Sequence, residues 1–150
     1  AASEGAGVAR AGLVDPVDLP TSRGRSERIL IVEDEPGVRE LTARILRDHR
    51  YQVVAASSCA EARARIQSDP LPFDLLLSDV ILPDGNGILL ADEPTSARPT
   101  LPVLLCSAYS DEQARSQMIQ ARGYRFLSKP YPTAALLREI RILLDRITPP

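Results

Sequence analysis

Short, unbroken apolar runs recur along this chain, and each is followed by a stretch whose apolar residues fall at helical spacing. The first run, Ile29-Leu30-Ile31-Val32, holds three β-branched residues and no polar one. A strand with one face in water alternates apolar with polar. An unbroken run belongs to a strand covered on both faces, as in a parallel sheet flanked by helices. Pro36 then suits the first turn of a helix, and Val38, Leu41 and Ile45, with Leu46, repeat at helical period. The same reading places strands over 51–55, 73–78, 101–106 and 124–127. Helices are expected over 59–67, 111–121 and Thr133–Ile147, the last with Leu136, Ile140, Leu143 and Ile147 on one stripe. Asp69-Pro70-Leu71-Pro72 ends the second helix. Five strands alternating with helices predict an α/β fold, a three-layer α/β/α sandwich around a five-stranded parallel sheet with right-handed crossovers.

Composition narrows the function classes. With 44% hydrophobic and 25% charged residues among 150, the chain can bury a core without disulfide or metal staples. A net charge of −2 offers no basic footprint for direct nucleic-acid binding. No apolar run approaches the ~20 residues of a membrane helix, and no signal-peptide pattern opens the sequence, so a cytoplasmic location without membrane contact is expected. Cys59 and Cys106 lack metal-ligand spacing and read as reduced, buried thiols. Residues 1–27 contain four of the eight glycines and no apolar periodicity. They are expected to form a flexible linker or tail ahead of a domain spanning 28–147, with 148–150 as a C-terminal tail. The sequence begins without Met, which fits a fragment or a processed chain.

In such sheets ligands bind beyond the carboxyl ends of the strands. Those ends carry Glu33-Asp34, Ser78-Asp79, Ser107 and Ser128-Lys129-Pro130. Three carboxylates packed together repel, and a divalent cation removes the conflict. Hard oxygen donors with no Cys or His among them favour Mg²⁺. An Asp beside a metal, a lysine and a hydroxyl can attack phosphorus and form an aspartyl phosphate. Lys129 would then neutralise the transferring group, and Ser107 would bond one of its oxygens.

With Ile31-Val32-Glu33-Asp34-Glu35-Pro36, Ser78-Asp79-Val80-Ile81-Leu82-Pro83-Asp84-Gly85-Asn86-Gly87, Ser107-Ala108 and Lys129-Pro130 in this order, the chain resembles the receiver domain of two-component response regulators. The resemblance covers about residues 28–147 and implies the flavodoxin-like strand order 2-1-3-4-5. It also implies roles. Asp79 would be the phosphoacceptor, and Glu33, Asp34, Asp79 and the backbone carbonyl of Ile81 the Mg²⁺ ligands. Lys129 would pair with the phosphoryl group, Ser107 and Phe126 would act as the switch residues, and the Lys129–Pro130 peptide would be cis. Partners implied are a histidine kinase or histidine phosphotransfer protein as donor and a downstream protein or domain as receiver of the signal. Two departures stand out. Glu33 replaces the family's commoner Asp, and Pro94 should leave the third helix short or distorted, ending near Glu93.

Each residue also has a plainer reading. A strand-end Asp is often a cap, Phe126 can be a core aromatic, and His49 suits a cationic helix C-terminus. Gly85 and Gly87 belong to no nucleotide-binding motif. The leading expectation is a phosphoacceptor module, either a free-standing regulator or the receiver segment of a hybrid histidine kinase. It would have no independent enzyme activity beyond self-catalysed phosphoryl transfer and slow autodephosphorylation. The alternative is a phosphorylation-independent pseudo-receiver. A haloacid-dehalogenase-like phosphatase is disfavoured, because Glu33 and Asp34 are adjacent rather than in an Asp-x-Asp motif. Ile81 and Tyr109 are poor at orienting water, so a long-lived phosphoryl state is expected.

Overall fold

The unbroken apolar runs become the three central strands. A computed structural model describes residues 24–108 and 118–147. In chain order the elements are β1 (Arg28–Val32), α1 (Pro36–Asp48), β2 (Gln52–Ala56), α2 (Cys59–Ser68), β3 (Leu75–Asp79), β4 (Ile81–Leu82), β5 (Gly85–Asn86), α3 (Gly87–Ala97), β6 (Val103–Ala108), β7 (Arg125–Lys129) and α4 (Thr133–Ile147). Residues 118–122 are also helical. The main sheet runs β2-β1-β3-β6-β7, every neighbouring pair parallel. Counting only the strands of this sheet, the order is 2-1-3-4-5, as expected. The edge strands β2 and β7 carry polar residues and are largely half-buried, whereas β3 is buried along its whole length.

The sheet separates two apolar layers. On one face Ile29, Ile31, Leu75, Leu77 and Leu104 pack against Leu46 of α1 and Leu136, Leu137 and Ile140 of α4. On the other, Leu30, Val32, Leu76, Val103 and Leu105 meet Cys59 and Ala62 of α2, Ile88, Leu90 and Ala91 of α3, and Ile119. Alternate residues of each strand thus feed opposite layers, the period-2 geometry of a pleated strand. Both cysteines are free and buried.

One expectation changes. Helix α3 does not stop near Glu93 but continues through Pro94 to Ala97. A helix-interior proline costs about 3 kcal/mol. Full burial of Ile88 and Leu90, at roughly 1.5–3 kcal/mol each, is enough to offset it. Beyond the proline, the Thr95 hydroxyl donates to the Ala91 carbonyl and the Arg98 amide to the Pro94 carbonyl, closing the last turn. The antiparallel β4–β5 hairpin was not foreseen; it pairs Ile81 with Asn86 and Leu82 with Gly85. Residues just ahead of β1 make contacts with the body. The Gly24 amide donates to the His49 carbonyl, and Glu27 pairs with Arg141 of α4 at 2.8 Å. Residues 1–23, most of the expected 111–121 helix and the tail 148–150 lie outside the described residues, as does the side chain of Ile147.

Candidate functional site

Three strands deliver the acidic and basic groups to one rim. Glu33 and Asp34 follow β1, and the Glu33 amide donates to the Ala56 carbonyl at the end of β2 (3.0 Å). Asp79 is the last residue of β3, aligned with Cys106 of β6, and Lys129 is the last residue of β7, aligned with Ala108. Lys129 Nζ stands 2.8 Å from Glu33 Oε1 and 2.8 Å from Asp79 Oδ1. Glu33 and Asp79 are buried and Asp34 is exposed. One carboxylate oxygen from each of the three lies within 4.8 Å of the others.

The electrostatics follow from that crowding. Burial, then a hydrogen bond with Glu33, pushes the Asp79 carboxyl up to about 7 against the opposing pull of Lys129. Burial also works to raise Glu33, but its hydrogen bonds with Asp79, Lys129 and the Glu35 amide overcome this and hold it low. Below about pH 7 a protonated Asp79 donates to the ionised Glu33. Lys129 is partly desolvated, yet the two carboxylates hold its amine firmly charged.

Asp79, Ile81, Cys106, Ser107, Ala108 and Lys129 line a cavity of about 190 Å³ beside this cluster. Ser107 is buried, and its hydroxyl has no hydrogen-bond partner among the described residues. A buried donor left unmade costs on the order of 1–3 kcal/mol, so an oxygen-bearing ligand in the cavity is the natural relief. The donor set suits a hard divalent cation: oxygen ligands only, two of them buried and one on the solvent side, where waters would complete the shell.

Every side chain singled out for the site except Phe126 lies on this rim. Phe126 is half-buried against the layer of Val103, Leu105 and Ile119 rather than at the cavity. The Lys129–Pro130 peptide is cis. Arg39 was missed: its guanidinium donates to the Glu33 and Asp34 carbonyls at 2.9 and 3.3 Å. Its position one turn into α1, just after the acidic pair, was the only signal available. Gly87 has a structural role that the motif search did not capture. A Cβ there would sit 2.0 Å from the Asp79 carbonyl oxygen, so only glycine lets α3 start against the end of β3.

Comparison with known proteins points one way. A family model described as "Response regulator receiver domain" matches residues 29–141. The response regulator protein PilR of Pseudomonas aeruginosa is 36% identical over 104 residues, which span 69% of this chain but 23% of PilR. The response regulator receiver protein CpdR of Brucella abortus is 30% identical over 118 residues, spanning 79% of this chain and 97% of CpdR. Among solved structures, the response regulator TrrA of Thermotoga maritima, in complex with Mg²⁺ and beryllofluoride, is 28% identical with a TM-score of 0.69. That match covers 79% of this chain and 99% of TrrA.

Proposed function

The chain belongs to the response regulator receiver family, and on that premise we propose that Asp79 accepts a phosphoryl group from a phosphohistidine donor in a Mg²⁺-dependent relay. The observation that carries this reading is the pairing of Lys129, 2.8 Å from the Asp79 carboxylate, with an unpartnered Ser107 hydroxyl in the adjoining cavity. One group neutralises a transferring phosphoryl oxygen and the other donates to it. An ionised Asp79 oxygen attacks phosphorus, the bond from phosphorus to the donor's imidazole nitrogen breaks, and the imidazole leaves with a proton from solvent. The product is an aspartyl phosphate. Glu33, Asp34, Asp79 and the Ile81 carbonyl would hold Mg²⁺, which supplies charge neutralisation for the phosphoryl oxygens.

The donor is a histidine kinase or histidine phosphotransfer protein. The signal passes to a downstream protein or domain when Ser107 turns toward the phosphoryl group and Phe126 repacks behind it. Phe126 is suited to this because it is half-buried next to that layer. No helix among the described residues is long and apolar enough to cross a membrane, and a cytoplasmic site of action fits a phosphohistidine donor.

Incubation with labelled acetyl phosphate and Mg²⁺ tests the reading. Wild-type chain takes up label, and both Asp79→Asn and EDTA abolish uptake. Equal labelling of Asp79→Asn sinks it.

A further inference from the structure

The metal reading requires Ile81 to stand in fixed relation to Glu33 and Asp79, yet Ile81 lies on a two-residue strand whose side chain is 50% exposed. Two-stranded hairpins are marginal by themselves, so something must anchor this one. At its tip, Asp84 reaches the start of α2, 25 residues away in sequence, where its two carboxylate oxygens accept the Cys59 and Ala60 amides at 2.8 and 2.9 Å. These are the first two amides of the helix, which lack intrahelical partners. Ser58 serves a third, accepting the Glu61 amide at 3.1 Å. Beside Asp84, the Gly85 backbone lies so close to Cys59 that a Cβ would stand 3.1 Å from its sulfur. The β2–α2 turn is itself tied to the other half of the rim through Ala56, which accepts the Glu33 amide.

We propose that Asp84 is a positioning residue for the metal site: by capping α2 from the hairpin tip it holds Ile81 in register with Glu33 and Asp79. The proposal rests on the Mg²⁺ reading given above. A carboxylate suits the task because it accepts two amides at once and is favoured at the positive end of a helix. Asp84's carboxylate bonds to the α2 amides, so its hold on the metal site runs through the hairpin backbone.

Mg²⁺ titration by calorimetry, with thermal melts in parallel, tests this on Asp84→Ala, Asp84→Asn and Ser58→Ala. Ser58→Ala is the control, because it removes a cap from the same helix without touching the hairpin. Asp84→Ala should weaken Mg²⁺ binding about tenfold, the low end for outer partners of metal ligands. Asp84→Asn keeps one acceptor and falls between. Ser58→Ala should lower Tm by about 3–5 °C and leave Mg²⁺ affinity unchanged. Wild-type affinity in Asp84→Ala overturns the proposal, and so does an equal loss in Ser58→Ala, which would tie affinity to α2 stability alone. A wild-type chain that binds no Mg²⁺ overturns instead the reading of the rim itself.

Discussion

Burial and the bond with Glu33 favour the protonated form of Asp79, whereas the proposed transfer needs the ionised one. Without metal its carboxyl titrates near 7 in the folded chain against an ordinary value of 3.8. Because the folded value is the higher, the neutral carboxyl contributes stability that is complete below about pH 4 and lost as pH climbs through 7. The gap is worth on the order of 4 kcal/mol at most, and the opposite shift of Glu33 offsets part of it. Asparagine keeps the neutral shape at every pH, its amide donating to Glu33 and its oxygen accepting from Lys129. In EDTA at pH 8, Asp79→Asn should therefore melt roughly 5 °C or more above wild type, with the gain fading toward pH 4.5. Melts that differ by the same amount across that range refute the account. Ile81 sets a second expectation. It lines the cavity with an exposed apolar side chain and cannot orient or deprotonate an attacking water. Phosphoryl loss should be slow, and Ile81→Asn should speed it several-fold when decay is followed after donor removal. Loss from wild type within seconds contradicts this.

At the scale of elements, β3 and α3 meet at Gly87. Its amide donates to the Val80 carbonyl at 2.7 Å, and a methyl group there would overlap the Asp79 carbonyl, which is backbone and cannot swing aside. Gly87→Ala should cost about 2–3 kcal/mol in urea unfolding and slow phosphorylation by displacing Asp79; an unchanged midpoint would show that the strand end yields. How far such contacts could be read beforehand depends on their range. Strands β1, β3 and β6 were legible because both-sided burial leaves an unbroken apolar run, and the rim residues because they follow those runs. The β4–β5 hairpin was not, since two-residue strands have no period to detect. Pro94 was misread because local helix chemistry was weighed without the burial of Ile88 and Leu90. The Asp84 cap joins residues 25 apart through backbone amides, and no side-chain pattern in the sequence records it.

Across the whole molecule, the rim and the Glu27–Arg141 pair lie at opposite ends of β1. Glu27 precedes β1 and Glu33 follows it, so the strand sets their backbones about 20 Å apart. At the Glu27 end, Arg141 is 5% exposed; it donates to Glu27 and to Asp145 at 2.8 Å each and lies 3.4 Å from the Tyr51 hydroxyl. The approach to β1 is thereby tied to α4 and to the start of β2. Removing one carboxylate from a buried cation is costly, up to about 3–5 kcal/mol where nothing else compensates. Asp145 remains, so Glu27→Ala should cost less, about 1–2 kcal/mol in denaturant unfolding. Burial tends to raise the Glu27 carboxyl, but its bonds to Arg141 and to nearby amides hold it below the usual range. Its contribution is therefore present above the ordinary carboxylate range and lost as pH falls through the lowered value. Mg²⁺ affinity and phosphoryl uptake should not change in Glu27→Ala, because no rim ligand touches the pair. A variant that loses Mg²⁺ affinity in proportion to its stability would mean that the two ends of the sheet are coupled.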